Sequence, residues 1–148
     1  MRANMKDRPP LNLIVVEDSE LDYELLLAML SREGLKPRTT RVEDEAGMRD
    51  AFAKGHVDAV ITDHNLPRFD SFASLTVAKS IDADIPVIVL SGEMSEDLAV
   101  ATLHAGADDF VLKTRMFRIA SALPHSLQAA NARREARPAV AALAEREA

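Results

Sequence analysis

The sequence predicts an α/β fold, in which five parallel strands form one doubly wound sheet with helices on both of its faces. Short apolar runs alternate along the chain with segments whose apolar residues recur at helical spacing, and this alternation is typical of repeated strand–helix units. The apolar runs are nearly continuous, which is expected of strands that are buried on both faces. With 148 residues the chain has the size of a single domain.

The first two strands and the helix between them are predicted from residues 11–42. Leu11–Val16 is apolar and rich in β-branched residues, so it predicts a buried strand. Ser19–Arg32 carries apolar residues at helical spacing, and Gly34 is placed to end that helix. Lys36–Val42 predicts a weaker strand, and the proline near its start indicates the edge of the sheet.

The middle of the chain continues the alternation. Asp44–Lys54 predicts a helix that Gly55 closes, and Val57–Thr62 predicts the third strand. A polar loop that contains Pro67 then leads to a helix of about residues 72–80. The order of strand and helix is therefore unbroken through this part of the chain.

The last two strands are predicted at Pro86–Leu90 and Asp109–Leu112, which are both short and apolar. Between them, Ser95 can cap a helix that extends to about Ala105. Right-handed crossovers between parallel strands make the strand order 2-1-3-4-5 the default arrangement. The sequence therefore predicts a flavodoxin-like fold of five strand–helix units.

The chain from about Met116 onward has a helical composition but contains Pro124. A proline inside a helix costs ~3 kcal/mol or more, because it lacks the N–H and its ring clashes with the preceding turn. We therefore expect the last helix to begin late, near Leu123, or to be kinked.

These elements divide the chain into a disordered segment at 1–10, one domain at 11–127 and a helical extension at 128–148. Residues 1–114 carry 12 Lys and Arg against 21 Asp and Glu, whereas residues 115–148 carry 6 against 3. An acidic domain of this kind lacks the clustered basic face that nucleic-acid binding requires. The chain has no cysteine, which excludes disulfides, thiolate zinc sites and cysteine nucleophiles.

The sequence contains no segment that would direct it to a membrane. Residues 1–10 lack the apolar stretch of a signal peptide. The longest apolar runs are far shorter than the ~20 residues that are needed to cross a bilayer. We expect a cytoplasmic protein that binds neither membranes nor nucleic acids.

Polar side chains collect at the points where four of the strands end. In a doubly wound sheet, ligands bind beyond the carboxyl ends of the strands, so these side chains are expected to converge. In chain order they are Glu17, Asp18, Asp63, Asn65, Ser91 and Lys113. Each of them alone is more often a turn, a helix cap or a surface residue, but their joint pattern predicts a functional site.

Carboxylates that are crowded at one edge repel each other, and one of them takes up a proton unless a cation is present. Mg²⁺ suits a site of oxygen ligands, and it is usually held by one or two carboxylates together with water and phosphate oxygens. A lysine and a hydroxyl at the same edge suit an anion such as phosphate. These residue types therefore indicate a carboxylate that accepts a phosphoryl group beside Mg²⁺.

The sequence resembles the receiver domain of bacterial two-component response regulators over residues 11–127. The segments that carry the resemblance are Glu17-Asp18-Ser19, Asp63-His64-Asn65-Leu66-Pro67, Ser91-Gly92 and Ala105-Gly106-Ala107-Asp108-Asp109-Phe110-Val111-Leu112-Lys113. The resemblance implies a stand-alone response regulator that signals through phosphorylation-dependent protein contacts. Such a protein is not an enzyme beyond its own Mg²⁺-dependent phosphorylation and dephosphorylation.

The resemblance implies a role for each acidic residue at the strand ends. Asp63 would accept the phosphoryl group, and Asp18 and Asp63 would hold Mg²⁺ directly. Glu17 would hold the metal through water, and the backbone carbonyl of Asn65 would complete the protein ligands. Lys113 would pair with the phosphoryl group.

The resemblance also implies residues that transmit or tune the signal. Ser91 would hydrogen-bond the phosphoryl group and move on activation, and Phe110 would rotate inward with it. Asn65 and Glu93 occupy positions that tune dephosphorylation. Unless both merely face solvent, they could position a water molecule, so we expect a short-lived phosphoaspartate. Ser71 replaces the usual glycine, so its turn is expected to be tight or strained.

The expected partners are a sensor histidine kinase or a phosphotransfer protein, and an unknown downstream protein. Arg133, Arg134 and Arg137 belong either to a last helix that pairs two copies of the chain or to a solvated tail, and we favour the homodimer. Two alternatives stay open: an interaction module that never takes up phosphate, and a small hydrolase with an aspartyl nucleophile. The hydrolase would need a second carboxylate two residues after Asp63, where Asn65 stands.

Overall fold

The computed structural model describes residues 10–147, and it describes side-chain surroundings through residue 137. The strands are β1 (Asn12–Val16), β2 (Arg38–Val42), β3 (Ala59–Asp63), β4 (Val87–Ser91) and β5 (Asp109–Leu112). They pair in parallel in the order β2-β1-β3-β4-β5. The predicted fold class and strand order are confirmed. The segment predicted to be disordered, 1–10, lies outside the described residues apart from Pro10.

Helices connect the strands and cover both faces of the sheet. They are α1 (Glu20–Arg32), α2 (Glu45–Lys54), α3 (Ser71–Ile81), α4 (Glu96–His104), a 3₁₀ helix (Lys113–Arg118) and α5 (Ile119–Glu147). A serine or aspartate caps each of the first four α-helices, and its side-chain oxygen accepts a hydrogen bond from a backbone N–H three residues later. These caps are Ser19, Asp44, Asp70 and Ser95. The local sequence therefore sets where the helices begin.

A hydrophobic core lies on each face of the sheet. On one face, Met48 of α2 and Leu75 of α3 are buried against the strands. On the other face, Leu26 of α1 and Leu123 of α5 are buried. Every residue of β3 and β4 is buried, as the continuous apolar runs predict. The sheet is therefore a firmly packed frame, and its carboxyl edge fixes the positions of the side chains that follow the strands.

The last helix begins earlier than the sequence predicts. Of the two alternatives, the start near Leu123 is wrong, because the 3₁₀ helix leads directly into α5 at Ile119, and a kink at Pro124 stays a prediction. Ile119 and Leu123 are fully buried, and burying a side chain of this size stabilises the fold by about 1.5–3 kcal/mol. This burial offsets the hydrogen bond that Pro124 cannot make, and Pro124 itself is exposed.

Arginines near the end of α5 bind to acids of the domain itself. The ion pairs join Arg133 to Asp84 and Asp108, Arg134 to Asp82, and Arg137 to Asp84. These acids lie just before β4 and β5, so the contacts are at the amino edge of the sheet. These ion pairs hold α5 against the domain as far as Arg137, and dimerisation through α5 stays a prediction.

The turn that contains Ser71 is not strained, so that expectation is wrong. Ser71 is the first residue of α3 and follows the cap Asp70. Among the residues that the structure describes, only glycines have a positive φ. The helix start accommodates Ser71 in an ordinary backbone conformation, and its Oγ lies 2.7 Å from Nδ1 of His64.

Candidate functional site at the carboxyl edge of the sheet

The acids that follow β1 and complete β3 lie side by side, because these strands are neighbours in register. Val16 pairs with Thr62, so Glu17 and Asp63 stand at the same level of the carboxyl edge. Glu17 is 5% exposed and Asp63 is 6% exposed. Two carboxyl groups so well removed from water need a proton or a nearby cation.

Lys113 supplies a cation within the site. Its Nζ lies 2.7 Å from Oδ2 of Asp63, 3.0 Å from Oδ2 of Asp22 and 3.5 Å from Oε1 of Glu17. Burial alone would lower the pKa of Lys113, but hydrogen bonds to Asp63 and Asp22 raise this pKa above its ordinary value. The lysine is therefore charged, and the structure brings Glu17, Asp63 and Lys113 together.

Asp63 is ionised although it is buried. Burial raises the pKa of Asp63, but hydrogen bonds from Lys113 and from the backbone N–H of Asn65 lower this pKa below its ordinary value. The Asn65 nitrogen lies 3.1 Å from Oδ1, and the Lys113 nitrogen contacts Oδ2. Each oxygen of Asp63 thus has a donor that favours its charged form, and the carboxylate is available as a nucleophile.

Glu17 differs from Asp63 in its protonation. Burial, a hydrogen bond with Asp63 and the negative charge of Asp63 together raise the pKa of Glu17 to about 8. Glu17 therefore carries a proton near neutral pH. The carboxyl groups of Glu17, Asp22 and Asp63 outnumber the single positive charge of Lys113. A divalent cation would therefore favour the ionised form of Glu17.

Asp18, the other predicted acid after β1, stands apart from this cluster. Its side chain is exposed, and its backbone N–H donates a hydrogen bond to Oε2 of Glu17 over 3.1 Å. Among the described residues, the carboxylate oxygens that lie within 4.8 Å of one another come from Glu17, Asp22 and Asp63. A metal-binding role for Asp18 stays a prediction.

Sequence reasoning missed Asp22. This residue lies in the first turn of α1, and its backbone N–H donates a hydrogen bond to Oγ of Ser19 over 3.2 Å. An acid in a first turn is ordinarily explained by its favourable interaction with the positive end of the helix dipole. The sequence therefore gave no separate signal that Asp22 contacts Lys113.

Ser91 completes β4 at the same edge of the sheet but is turned toward its own loop. Its Oγ accepts a hydrogen bond from the backbone N–H of Glu93 over 3.0 Å and also donates to the Glu93 carbonyl over 3.3 Å. Ser91 pairs with Leu112, so it stands one residue before the level of Lys113. Within the described part of the chain, its side-chain hydrogen bonds go to Glu93 and not to Asp63.

The remaining predicted residues differ in their exposure. Phe110 is half-buried and packs against the core on the α2 and α3 side of the sheet. Asn65 and Glu93 are exposed, so water reaches both side chains.

His64 contacts Ser71 and packs edge-on against Phe72, with ring centroids 5.8 Å apart. These contacts give His64 a structural role at the start of α3.

The fold and this site define a class of protein, the phosphoacceptor signalling domains, which are not classical enzymes. A buried, ionised aspartate held by a lysine at the carboxyl edge of a flavodoxin-like sheet is typical of that class. The family model described as the response regulator receiver domain matches residues 13–123. The chain belongs to the response regulator receiver domain family.

Similar proteins agree with this assignment. Transcriptional regulatory protein PrrA of Mycobacterium tuberculosis is 37% identical over 108 residues, which cover 70% of this chain and 43% of PrrA. Response regulator MprA of Mycobacterium sp. (strain KMS) is 33% identical over 104 residues, which cover 70% of this chain and 44% of MprA. The chain thus spans less than half the length of these relatives.

Solved structures support the fold. The crystal structure of the signal receiver domain of an HD domain-containing protein from Pseudomonas fluorescens matches with a TM-score of 0.72. Its sequence is 21% identical, and the match covers 85% of this chain and 93% of that chain.

Receiver domains share general properties. Receiver domains bind Mg²⁺ at an acidic pocket, and they interact with histidine kinases or phosphotransfer proteins. Glu17, Asp22 and Asp63 form an acidic cluster in this chain. None of the helices that the structure describes combines the length and the hydropathy that a membrane crossing requires.

Proposed function

We propose that Asp63 accepts a phosphoryl group from the phosphohistidine of a sensor histidine kinase or a phosphotransfer protein. The observation that carries this proposal is the state of Asp63, which is buried and ionised with a donor on each oxygen. A carboxylate oxygen attacks phosphorus and the P–N bond breaks. The leaving imidazole nitrogen keeps the electron pair and takes up a proton, and the product is an acyl phosphate on Asp63.

The acidic pocket fits Mg²⁺. Asp18 and Asp63 are proposed as direct ligands, Glu17 as a ligand through water, and the backbone carbonyl of Asn65 as the last protein ligand. The support is a donor set made of oxygens, together with the pKa of about 8 at Glu17, which burial raises first, and then a hydrogen bond with Asp63 and the negative charge of Asp63. Bound Mg²⁺ supplies positive charge to the acids and to the transferring phosphoryl group.

Lys113 and Ser91 then hold the phosphoryl group. The ammonium of Lys113 turns from Asp63 to a phosphoryl oxygen and forms a charge-assisted hydrogen bond. Ser91 gives up its contact with Glu93 and donates to another phosphoryl oxygen. Phe110, which is only half-buried, rotates inward as Ser91 moves. Phosphorylation thereby shifts a two-state equilibrium and changes a protein-binding face.

The output of this receiver is proposed to be a contact with a downstream protein, and a homodimer through α5 is one form of that contact. Support comes from the acidic balance of residues 1–114, which disfavours nucleic acid as a direct partner of the receiver itself. PrrA is named a transcriptional regulatory protein, and this chain covers 43% of it. Analytical ultracentrifugation of the phosphorylated and unphosphorylated chain measures whether the homodimer forms.

Mass spectrometry tests the phosphoryl transfer. The full chain is incubated with acetyl phosphate and Mg²⁺, and the intact mass is followed over time. We expect one phosphoryl group, labile to hydroxylamine, on the wild type and on Asp50→Asn, and none on Asp63→Asn. Asp50 is a suitable control because it is an exposed acid that pairs with Lys54 outside the site.

Two other results would overturn this function. A wild-type chain that forms no adduct would be an interaction module that works without phosphate. Rapid multiple turnover of acetyl phosphate, which Asp63→Asn abolishes, would identify a small hydrolase.

A further inference from the structure

We propose that Asp22 is a positioning residue, which holds the ammonium of Lys113 in the site while the phosphoryl group is transferred to Asp63. The inference deepens the proposed function and rests on it, because positioning matters only if Asp63 accepts a phosphoryl group. Asp22 itself neither attacks phosphorus nor leaves, so it is not a catalytic residue.

The contacts of Lys113 carry this inference. An ammonium group has three N–H donors, and that of Lys113 contacts Asp63 at 2.7 Å, Asp22 at 3.0 Å and Glu17 at 3.5 Å. Phosphorylation converts the Asp63 carboxylate into an acyl phosphate, which removes the negative charge of the carboxylate and weakens the first contact. The third contact lies at the limit of hydrogen-bond length. The contact with Asp22 has an ordinary hydrogen-bond length. Asp22 therefore stays bound to Lys113 while the lysine moves from Asp63 to the phosphoryl group.

The surroundings explain why Lys113 needs such a partner. Its side chain is 24% exposed and has a long flexible stem, so an ammonium released by Asp63 can turn toward water. Asp22 belongs to a different element, α1, and its backbone is fixed by the hydrogen bond to Ser19. A rigid helix start thus holds a flexible lysine that comes from the end of β5.

Positioning of Lys113 by Asp22 speeds phosphorylation, but the charge of Asp22 also slows it. Its negative charge repels an incoming phosphoryl donor, which is an anion. Positioning requires the acceptor oxygen, whereas repulsion requires only the charge. Asp22→Asn keeps a weaker neutral acceptor and removes the charge, and Asp22→Ala removes both. The two variants therefore separate the two effects.

The test is the rate of phosphorylation by acetyl phosphate, measured by mass spectrometry as a function of Mg²⁺ and donor concentration. We expect the saturated rate to fall on the order of tenfold in Asp22→Ala and by less in Asp22→Asn. Glu24→Gln is the matched control, because it removes an exposed acid from the same helix. We expect it to keep the wild-type rate.

A second readout does not depend on phosphorylation. The ¹H–¹⁵N signal of the Lys113 ammonium is expected in wild-type NMR spectra, because its hydrogen bonds slow exchange with water. We expect this signal to broaden beyond detection in Asp22→Ala and to persist in Glu24→Gln. A change in helix stability alone would not move this signal selectively.

Several outcomes would overturn the inference. Equal saturated rates in all variants would remove any positioning role. Faster rates in both Asp22 variants would make Asp22 an electrostatic brake instead. A higher Mg²⁺ requirement with an unchanged saturated rate would make it a metal-binding residue. A wild-type chain that takes up no phosphoryl group would overturn the proposed function and this inference together, whereas an active wild type with an Asp22→Ala variant of equal saturated rate would overturn the inference alone.

Discussion

Arg137 and Asp84 form an ion pair at the amino edge of the sheet, with NH1 of the arginine 2.6 Å from Oδ2 of the aspartate. The side chain of Asp84 is 5% exposed, whereas that of Arg137 is 63% exposed. Arg133 lies beside the same carboxylate, with its Nε 3.8 Å from Oδ1. Because a buried carboxylate needs a cation, these contacts tie α5 to the domain beyond residues 13–123, which the family model matches.

The first prediction concerns this ion pair. Arg137→Gln leaves the buried carboxylate of Asp84 with only the more distant Arg133, so we expect a loss of about 1–2 kcal/mol in the free energy of unfolding. Urea unfolding measures the change, and Arg115→Gln, which removes another exposed arginine, serves as the control. Equal stability of Arg137→Gln and the control would mean that Arg133 alone is enough to stabilise the buried carboxylate of Asp84.

The second prediction follows from the raised pKa of Glu17. This pKa is about 8 in the folded chain against an ordinary value of 4.5, so between these values the folded protein binds a proton that the unfolded chain has released. The contribution of Glu17 to the free energy of unfolding therefore falls as pH rises through this window. Near pH 8 we expect Glu17→Gln to be more stable than the wild type by about 1–3 kcal/mol.

Urea unfolding across this pH range, without Mg²⁺, checks the second prediction. Glu17→Gln should show a flatter pH dependence than the wild type. Glu24→Gln, a matched change in an exposed acid, should keep the wild-type slope. Parallel curves for Glu17→Gln and the wild type would contradict a raised pKa at Glu17.

The third prediction links Mg²⁺ to the same proton. A metal ion at the acidic pocket favours the ionised form of Glu17, so its binding releases a proton below about pH 8. We expect the affinity for Mg²⁺ to rise with pH in this range, by at most about tenfold for each pH unit. Titration calorimetry in buffers of different ionisation enthalpy counts the protons. Proton release that persists in Glu17→Gln would assign it to another group.

The fourth prediction concerns the lifetime of the phosphoaspartate. Asn65 and Glu93 are exposed, so water has access to a phosphoryl group on Asp63. Asn65→Met replaces a polar side chain with an apolar one that shields the acyl phosphate, and we expect hydrolysis to slow on the order of tenfold. Decay of the phosphorylated protein after removal of the donor gives the rate. Arg68→Met, in the same loop, is the control, and equal lifetimes for both variants and the wild type would refute the expectation.

The sequence predicts part of the site, but it does not predict the contact of Asp22 with Lys113. Glu17, Asp63 and Lys113 directly follow or complete apolar strands, so their convergence follows from the rule that the carboxyl ends of parallel strands share an edge. Asp22 and Lys113 are 91 residues apart, and Asp22 lies in a helix rather than at a strand end. Their contact depends on how α1 packs on the sheet, which no local pattern encodes.

The sequence by itself determined the order of the elements and the starts of the first four α-helices, because burial periodicity and capping residues act over a few neighbouring residues. It also determined the strand order, because crossovers between parallel strands are right-handed. Only the tertiary structure decided which acid contacts Lys113, how far the pKa of Glu17 rises and what the arginines of α5 bind. It also placed the start of α5 at Ile119, against the local preference of Pro124. These properties depend on burial and on charges brought together from distant parts of the chain, which are fixed only when the elements pack.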